Sequence, residues 1–391
     1  MSGKIGGENG GQDLKRKNGV LAEPNAYAMV VEEFGKPLCY REFKLPQPQN
    51  GEVLVKIIAS GICGSDVHVW KGEDMRSRLP MILGHEGLGI VDQVNTGRMD
   101  IFQNELAEGD LILWNRGVSC KACYQCLIKR KTYNCTSRWT YGFSKSINDY
   151  PYLNGSYSSH MLLTPETEII RIRKAEEVKP EEDYIPYVSA CCAGTTTACV
   201  FEQIRIDQAD HVVIQGPGPL GIYAVLFAKE AGAQNIIVIG GTKERLDLCR
   251  KAGATHIIDR SQTTEEERLR QVMAFTDGRG GDVVLELAGT KEAVEEGIKF
   301  TSVNGTYASA GIAVDVGDVK INWFRDVVRK NVTVKGVWVG DVKNTYQALK
   351  IYEKHKELLA EMISHRIPLK EADQALQLME EKKTVKAVLI P

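Results

Sequence analysis

The sequence predicts an α/β protein of two unlike parts, a β-rich domain and a domain built on a doubly wound parallel sheet. Two observations carry this expectation. From about Tyr27 to Leu163 short apolar runs alternate with Gly and Pro, as in AYAMVVEEFG, EVLVKIIASGIC, LGIVDQV and GDLILW. Such runs are strands of a partly open, mostly antiparallel sheet. After about Cys192 the rhythm changes, and HVVIQ, IIVIGG, HIID, GDVVLELAG and GTYASAG alternate with amphipathic helical stretches. That alternation calls for a parallel sheet with helices on both faces. At 391 residues the chain is long enough to bury two cores.

Each end of the chain has its own character. The opening MSGKIGGENGGQDLKRKNG has no apolar h-region, and residues 1–26 read as a flexible polar tail rather than a secretory signal. Beyond about Trp338 a helical stretch leads to KAVLIP, which is expected to return as a last strand to the first domain. The formal net charge of −2 offers no electrostatic case for nucleic acid or a membrane surface, and no apolar stretch has bilayer length.

The ten cysteines are clustered, which argues against a disulfide scaffold and for metal in a reducing cytoplasm. Cys120, Cys123, Cys126 and Cys135 supply four thiolates within sixteen residues, the make-up of a closed, tetrahedral structural zinc site in a lobe at about 117–137. An iron–sulfur cluster fits less well, because the last gap is long and no Pro follows Cys135. A second set is dispersed: Cys63, His85, Glu86 and Cys192. Spacing alone leaves these as a catalytic metal site or as ordinary buried thiols and a core histidine. The glycines around GHEGLG and the polar CGSDVH favour the former.

Gly216-Pro217-Gly218-Pro219-Leu220-Gly221 lies between the strand HVVIQ and the helical GIYAVLFAKEAG, the context a dinucleotide-binding turn requires. The acidic residue expected about twenty positions further on is replaced by Gly240-Gly241, followed by Thr242, Lys243 and Arg245. No carboxylate is there to repel a 2′-phosphate, so NAD or NADP fits and NADP is expected to be accepted. Thr242 is expected to hydrogen-bond that phosphate, with Lys243 or Arg245 close by.

In order, CGSDVH, GHEG, the four-cysteine lobe, CAGT and GPGPLG resemble the medium-chain zinc alcohol dehydrogenases over Tyr27–Pro391. The wording CGSDVH is most similar to the sorbitol and threonine dehydrogenase branch. Cys192 departs from it, since many sorbitol-type members carry Glu there. The lobe's last gap is also one residue longer than usual, and a loop bulge is expected.

The resemblance implies a GroES-like catalytic domain from residues 27–192 and 339–391, with a Rossmann domain, residues 193–338, inserted between. It implies two zincs, one held by Cys63, His85 and Cys192 with Glu86 beside the metal, and one by the lobe. It implies hydride transfer between a secondary alcohol or polyol and NAD(P), with Ser65 and His68 relaying the proton. Asp66 is expected to brace its loop, Cys191 to pack, and Arg116 or Trp70 to contact substrate. A homodimer or homotetramer is the implied assembly. The alternatives are a non-catalytic zinc or dinucleotide binder on the same fold, a zinc-dependent reductase working mainly on carbonyls, and, disfavoured by the full ligand set, a zinc-free quinone or enoyl reductase.

Overall fold

The computed structural model describes residues 25–391. Most of the expected tail lies outside the described residues, but its end does not: the first strand, Asn25–Val31, begins two residues earlier than the sequence suggests. It pairs antiparallel with Cys39–Lys44 and Met81–Ile82.

The main β sheet has the order Ile169–Arg173, Leu111–Trp114, Glu86–Val94, Val53–Gly61, Lys386–Ile390, Ile363–Pro368, and His160–Leu163 also pairs with Val53–Gly61. All these pairings are antiparallel except that of the last two strands. The expected return of KAVLIP is thus met, with Val388 opposite Gly61. The strand Ile363–Pro368 lies within what reads as a helical stretch. Its Ser, His and Arg stand in a row between two isoleucines along a sheet edge, so few apolar positions mark it.

The second sheet is six-stranded and parallel, in the order His256–Asp259, Asn235–Gly240, His211–Gln215, Gly281–Glu286, Thr301–Ser309, Thr333–Gly336. This is the 3-2-1-4-5-6 winding, and its switch point lies between His211–Gln215 and Gly281–Glu286. The central strands are β-branched and buried on both faces, as a helix-covered sheet demands. The helices carry local stop and start signals. Pro219 opens Pro219–Ala231 and Gly232 closes it at φ 88°. Thr264 and Glu267 form a reciprocal cap on Glu265–Phe275, and the Thr290 side chain accepts from the Ala293 N–H at the start of Lys291–Phe300.

The two sheets meet through a π turn, Ala190–Gly194, that runs into the helix Thr195–Gln203. This turn carries Cys192 toward the first sheet. Among the described residues no helix is long and apolar enough to cross a membrane.

Candidate active site and metal centres

Cys63 follows the strand Val53–Gly61 and immediately precedes the short helix Gly64–Trp70, His85 stands just before the strand Glu86–Val94 that Glu86 opens, and Cys192 sits in the π turn. The fold brings these four dispersed residues together, with one ligand atom from each lying within 4.8 Å of the others. The Cys63 and Cys192 sulfurs are 4.0 Å apart.

Asp66 orders this set. Its Oδ1 lies 3.0 Å from His85 Nδ1, which leaves Nε2 facing the thiols. Its Oδ2 accepts from the Cys63 backbone N–H at 2.8 Å and from the Tyr157 hydroxyl at 3.4 Å. Asp66 therefore braces its loop as expected and also orients His85, a contact the sequence did not disclose.

Glu86 Oε2 is paired with the buried Lys386 ammonium, which also donates to the Ile62 carbonyl at 3.0 Å. Glu86 Oε1 is buried without a hydrogen-bond partner and lies 4.0 Å from His85 Nε2. Gly61 makes room for this pair, since a Cβ there would come 2.2 Å from Glu86 Oε2. Lys386 belongs to the C-terminal strand, and no local motif points to it.

The charges are strongly coupled. The hydrogen bond with the Cys192 thiol, and then His85, hold Cys63 well below the ordinary thiol value against the opposing effect of burial. That hydrogen bond with Cys63, and then burial, push Cys192 up. Burial works against a charged His85, but Asp66 and Cys63 prevail and raise it to about 9. Burial pushes Glu86 up, opposed by Lys386. Two thiols, an imidazole and an orphaned carboxylate oxygen, all turned inward, form a donor set whose protons a divalent cation displaces. The residues fit zinc.

The lobe is a second, separate cluster. Cys120, Cys123, Cys126 and Cys135 place their sulfurs within 4.8 Å of one another. The Cys120–Cys135 and Cys123–Cys126 separations are 3.4 and 3.5 Å. Backbone N–H groups of Cys123 and Cys120 donate to the sulfurs of Cys120 and Cys135 at 3.3 Å each. The long last gap leaves the helical turn Tyr124–Leu127, which carries Cys126, and passes through a left-handed residue, Arg130 at φ 51°, and a tight turn, Thr132–Asn134. No open position remains, which suits structural zinc.

A cavity of about 300 Å³ opens onto Cys63, His85 and Cys192, and Ser65 and His68 line it. His68 Nδ1 is 2.5 Å from Glu73 Oε2, a carboxylate that holds the imidazole and that the sequence reading missed. Arg116 lines the same cavity and donates to the Cys191 carbonyl at 2.8 Å. Trp70 does not. Its indole N–H donates to the Lys36 carbonyl at 2.7 Å and its ring packs against the core of the first sheet, so it is withdrawn as a substrate contact. Cys191 is buried, and its thiol faces the Gly87 carbonyl.

At the switch point a groove of about 460 Å³ is lined by Gly216, Gly218, Gly240, Gly241, Thr242 and Arg245. Gly216 adopts φ +102°, and a Cβ on Gly221 would come 2.0 Å from the Gly216 carbonyl oxygen. Gly218 faces open space, so a phosphate can reach the backbone N–H groups of the helix that Pro219 and Leu220 begin. Leu220 turns toward the catalytic cavity.

At the far end of the groove the expected cofactor contacts are only partly met. Lys243 is not among the lining residues. It is largely exposed and pairs with Asp247 four residues on, 3.0 Å away. Arg245 lines the groove, but its guanidinium is anchored on the Thr384 carbonyl. Arg260 and Lys382, neither marked by the sequence pattern, supply further positive charge.

A nucleotide groove at the switch point of a parallel sheet, beside a buried thiol–imidazole cluster, is the layout of a metal-assisted dehydrogenase. The comparisons make this specific. The alcohol dehydrogenase GroES-like domain matches residues 49–174 and the zinc-binding dehydrogenase domain matches residues 219–354. The 5-exo-hydroxycamphor dehydrogenase of Pseudomonas putida is 32% identical over 89% of this chain and 94% of its own length. The L-threonine 3-dehydrogenase of Pyrococcus furiosus is 28% identical over 92% of this chain and 96% of its own. The crystal structure of an alcohol dehydrogenase from Thermotoga maritima superposes with a TM-score of 0.89 and 41% identity, covering 94% of this chain and all of that one. The chain belongs to the zinc-dependent medium-chain alcohol dehydrogenases. It is an oxidoreductase acting on CH–OH groups, with zinc and NAD(P) as its cofactors.

Proposed function

We propose that Cys63, His85 and Cys192 hold the catalytic zinc, with Glu86 as its neighbour or exchanging ligand, and that the lobe cysteines hold a structural one. The observation that carries this is the buried convergence of four ligand side chains at the inner end of the cavity. Zinc supplies Lewis acidity toward a substrate oxygen, and the nicotinamide supplies the hydride acceptor or donor.

The chain's own residues do the rest. The helix N-terminus after Gly218 holds the pyrophosphate. Ser65 accepts the proton that leaves a secondary alcohol or polyol, and His68, steadied by Glu73, passes it outward. Asp66 keeps His85 in the required tautomer. Residues 27–192 and 339–391 act as the catalytic domain, and residues 193–338 as the dinucleotide domain. Thr242, Arg245, Arg260 and Lys382 around the far end of the groove support acceptance of NADP as well as NAD.

A reducing, cytoplasmic setting suits the ten unpaired thiols. Assembly as a homodimer or homotetramer suits the open sheet edge and the exposed apolar residues described below.

The test is a panel of secondary alcohols and polyols, each supplied with NAD and then NADP, followed as reduced-cofactor absorbance together with zinc content. Turnover with two zincs per chain is expected. Cofactor binding without turnover on any alcohol or ketone would favour the non-catalytic reading.

A further inference from the structure

The wall of the catalytic cavity away from the thiols carries three guanidinium groups, Arg76, Arg116 and Arg138. Among the described residues no Asp or Glu lines this cavity. Arg76 is neutralised, since Asp74 accepts from its Nε at 2.9 Å and its Nη2 at 2.5 Å. It lies 5.3 Å from the Phe143 ring centre and 5.4 Å from that of Trp338.

The other two have no carboxylate. Arg116 is buried and held by neutral acceptors, the Cys191 carbonyl at 2.8 Å and the Thr196 hydroxyl at 3.4 Å. Arg138 donates through Nη1 to the Thr140 hydroxyl at 3.0 Å, while its Nη2 is buried with no partner. The side chain lies flat on Gly117, where a Cβ would come 1.9 Å from Nη2. That glycine is the space the guanidinium occupies.

A buried cation beside a partly buried one whose Nη2 is enclosed and unpartnered is costly to a fold unless something of opposite charge joins them. The nearby charges do not serve. Glu86 is taken by Lys386, and the groove for the nucleotide phosphates is lined by other residues. Asp341 and Cys135 act on Arg138 only from beyond hydrogen-bond reach, with Asp341 accepting from the Lys343 N–H and the Thr132 hydroxyl. A guanidinium is well shaped to grip a carboxylate or phosphate through paired N–H donors.

We propose that the alcohol oxidised by this protein carries an anionic group, a carboxylate or a phosphate, and that Arg138 and Arg116 bind it. This rests on the dehydrogenase reading of the same cavity and narrows its substrates from alcohols in general to hydroxy acids or polyol phosphates.

The test compares charged substrates with neutral partners of similar shape: 4-hydroxypentanoate against 4-hydroxypentanamide, and glycerol 3-phosphate against glycerol. Losing the partner of a buried charge typically costs about 2–5 kcal/mol, so kcat/KM is expected to favour the anion by about thirtyfold or more in one arm. The arm that responds identifies carboxylate or phosphate. In Arg138→Gln, with zinc content checked, the preference should fall to within about threefold, and Arg138→Lys should restore part of it. Equal efficiency on charged and neutral partners in the wild-type protein overturns the proposal whether or not the variants fold. So does an unchanged preference in Arg138→Gln that retains both zincs. Turnover of neither member of any pair, nor of simple alcohols, removes the dehydrogenase reading itself, a result distinct from turnover without preference.

Discussion

His68 is half-exposed at the cavity mouth and tied to Glu73, a position suited to passing a proton between a dry site and solvent. The variant His68→Gln is expected to keep both zincs yet lower alcohol oxidation, by as much as about 10²–10⁴-fold if the relay acts as a full general base. The loss should be greatest below neutral pH, where hydroxide is scarce as a substitute acceptor, and small imidazole-like bases should restore part of the rate. An unchanged pH–rate profile would remove the role. Cofactor choice is also decided by single residues. A carboxylate at position 240 looks from the sequence like the natural test of NAD preference, but a Cβ on Gly240 would come 2.3 Å from Pro217 Cγ. Gly241 meets nothing within 4 Å. Gly241→Asp is therefore expected to shift kcat/KM toward NAD without loss of folding, by placing a like charge against the 2′-phosphate. Equal efficiencies with both cofactors in that variant would place the discrimination elsewhere in the groove.

At the scale of elements, the lobe and the cluster around Cys63 are expected to respond differently to losing a cysteine. The lobe's secondary structure is limited to short turns, so its four sulfurs are its main internal tie. Cys123→Ala should lose one zinc and make residues 117–137 sensitive to protease, because structural zinc contributes folding free energy. Cys63→Ala should lose the other zinc and keep the fold, since the surrounding strands are held by their ladders. Wild-type protein that saturates at one zinc per chain would contradict both. A second element-scale contact joins the helices Thr195–Gln203 and Val342–Lys354. There Glu202 accepts from Lys343 and Asn344, each at 2.8 Å. Burial opposes ionisation, but these two partners leave the carboxyl below its ordinary value. A lowered folded value means that the contribution is present above the unfolded pKa, about 4.3, and fades as pH falls through the folded value. Glu202→Gln should thus be less stable at pH 7 by on the order of 0.5 kcal/mol, with the gap closing below about pH 4. A gap that persists there, read as a difference in thermal midpoint, would assign the effect to packing.

Over the whole molecule, the parallel sheet ends on Thr333–Gly336, a strand with no partner on its outer side among the described residues. Val334 on this strand is exposed, as are Val303 on its neighbour and Trp323, Phe324 and Val328 in the turn leading to it. An open edge flanked by large apolar side chains is suited to pairing with a second copy of itself. Val334→Lys is expected to shift the protein toward monomer in light scattering at micromolar concentration, and an unchanged mass would place the interface elsewhere.

Much of this molecule is legible without coordinates, because the decisive signals are local. The switch from period-two runs to strand–helix alternation marks the two sheets, since each element buries its own apolar face. The spacing of Cys120, Cys123, Cys126 and Cys135 is that of a chelating set, and GPGPLG between a strand and a helix has the form of a phosphate-binding turn. Even the dispersed residues of the proposed catalytic site, Cys63, His85 and Cys192, stand in recognisable short phrases. What the tertiary structure alone decided are the partners. Lys386 reaches Glu86 across 300 positions because the last strand pairs with Val53–Gly61. Asp66 meets His85 only once a helix and a strand have been set side by side. Arg76 and Arg138 read as unrelated surface charges until folding sets them in one cavity wall with Arg116, which the sequence had marked. Propensity and motif spacing act over a few residues, whereas the charge that a buried group must face is set by sheet register and by which loops share a wall. Those are properties of the assembled core, and no local pattern encodes them.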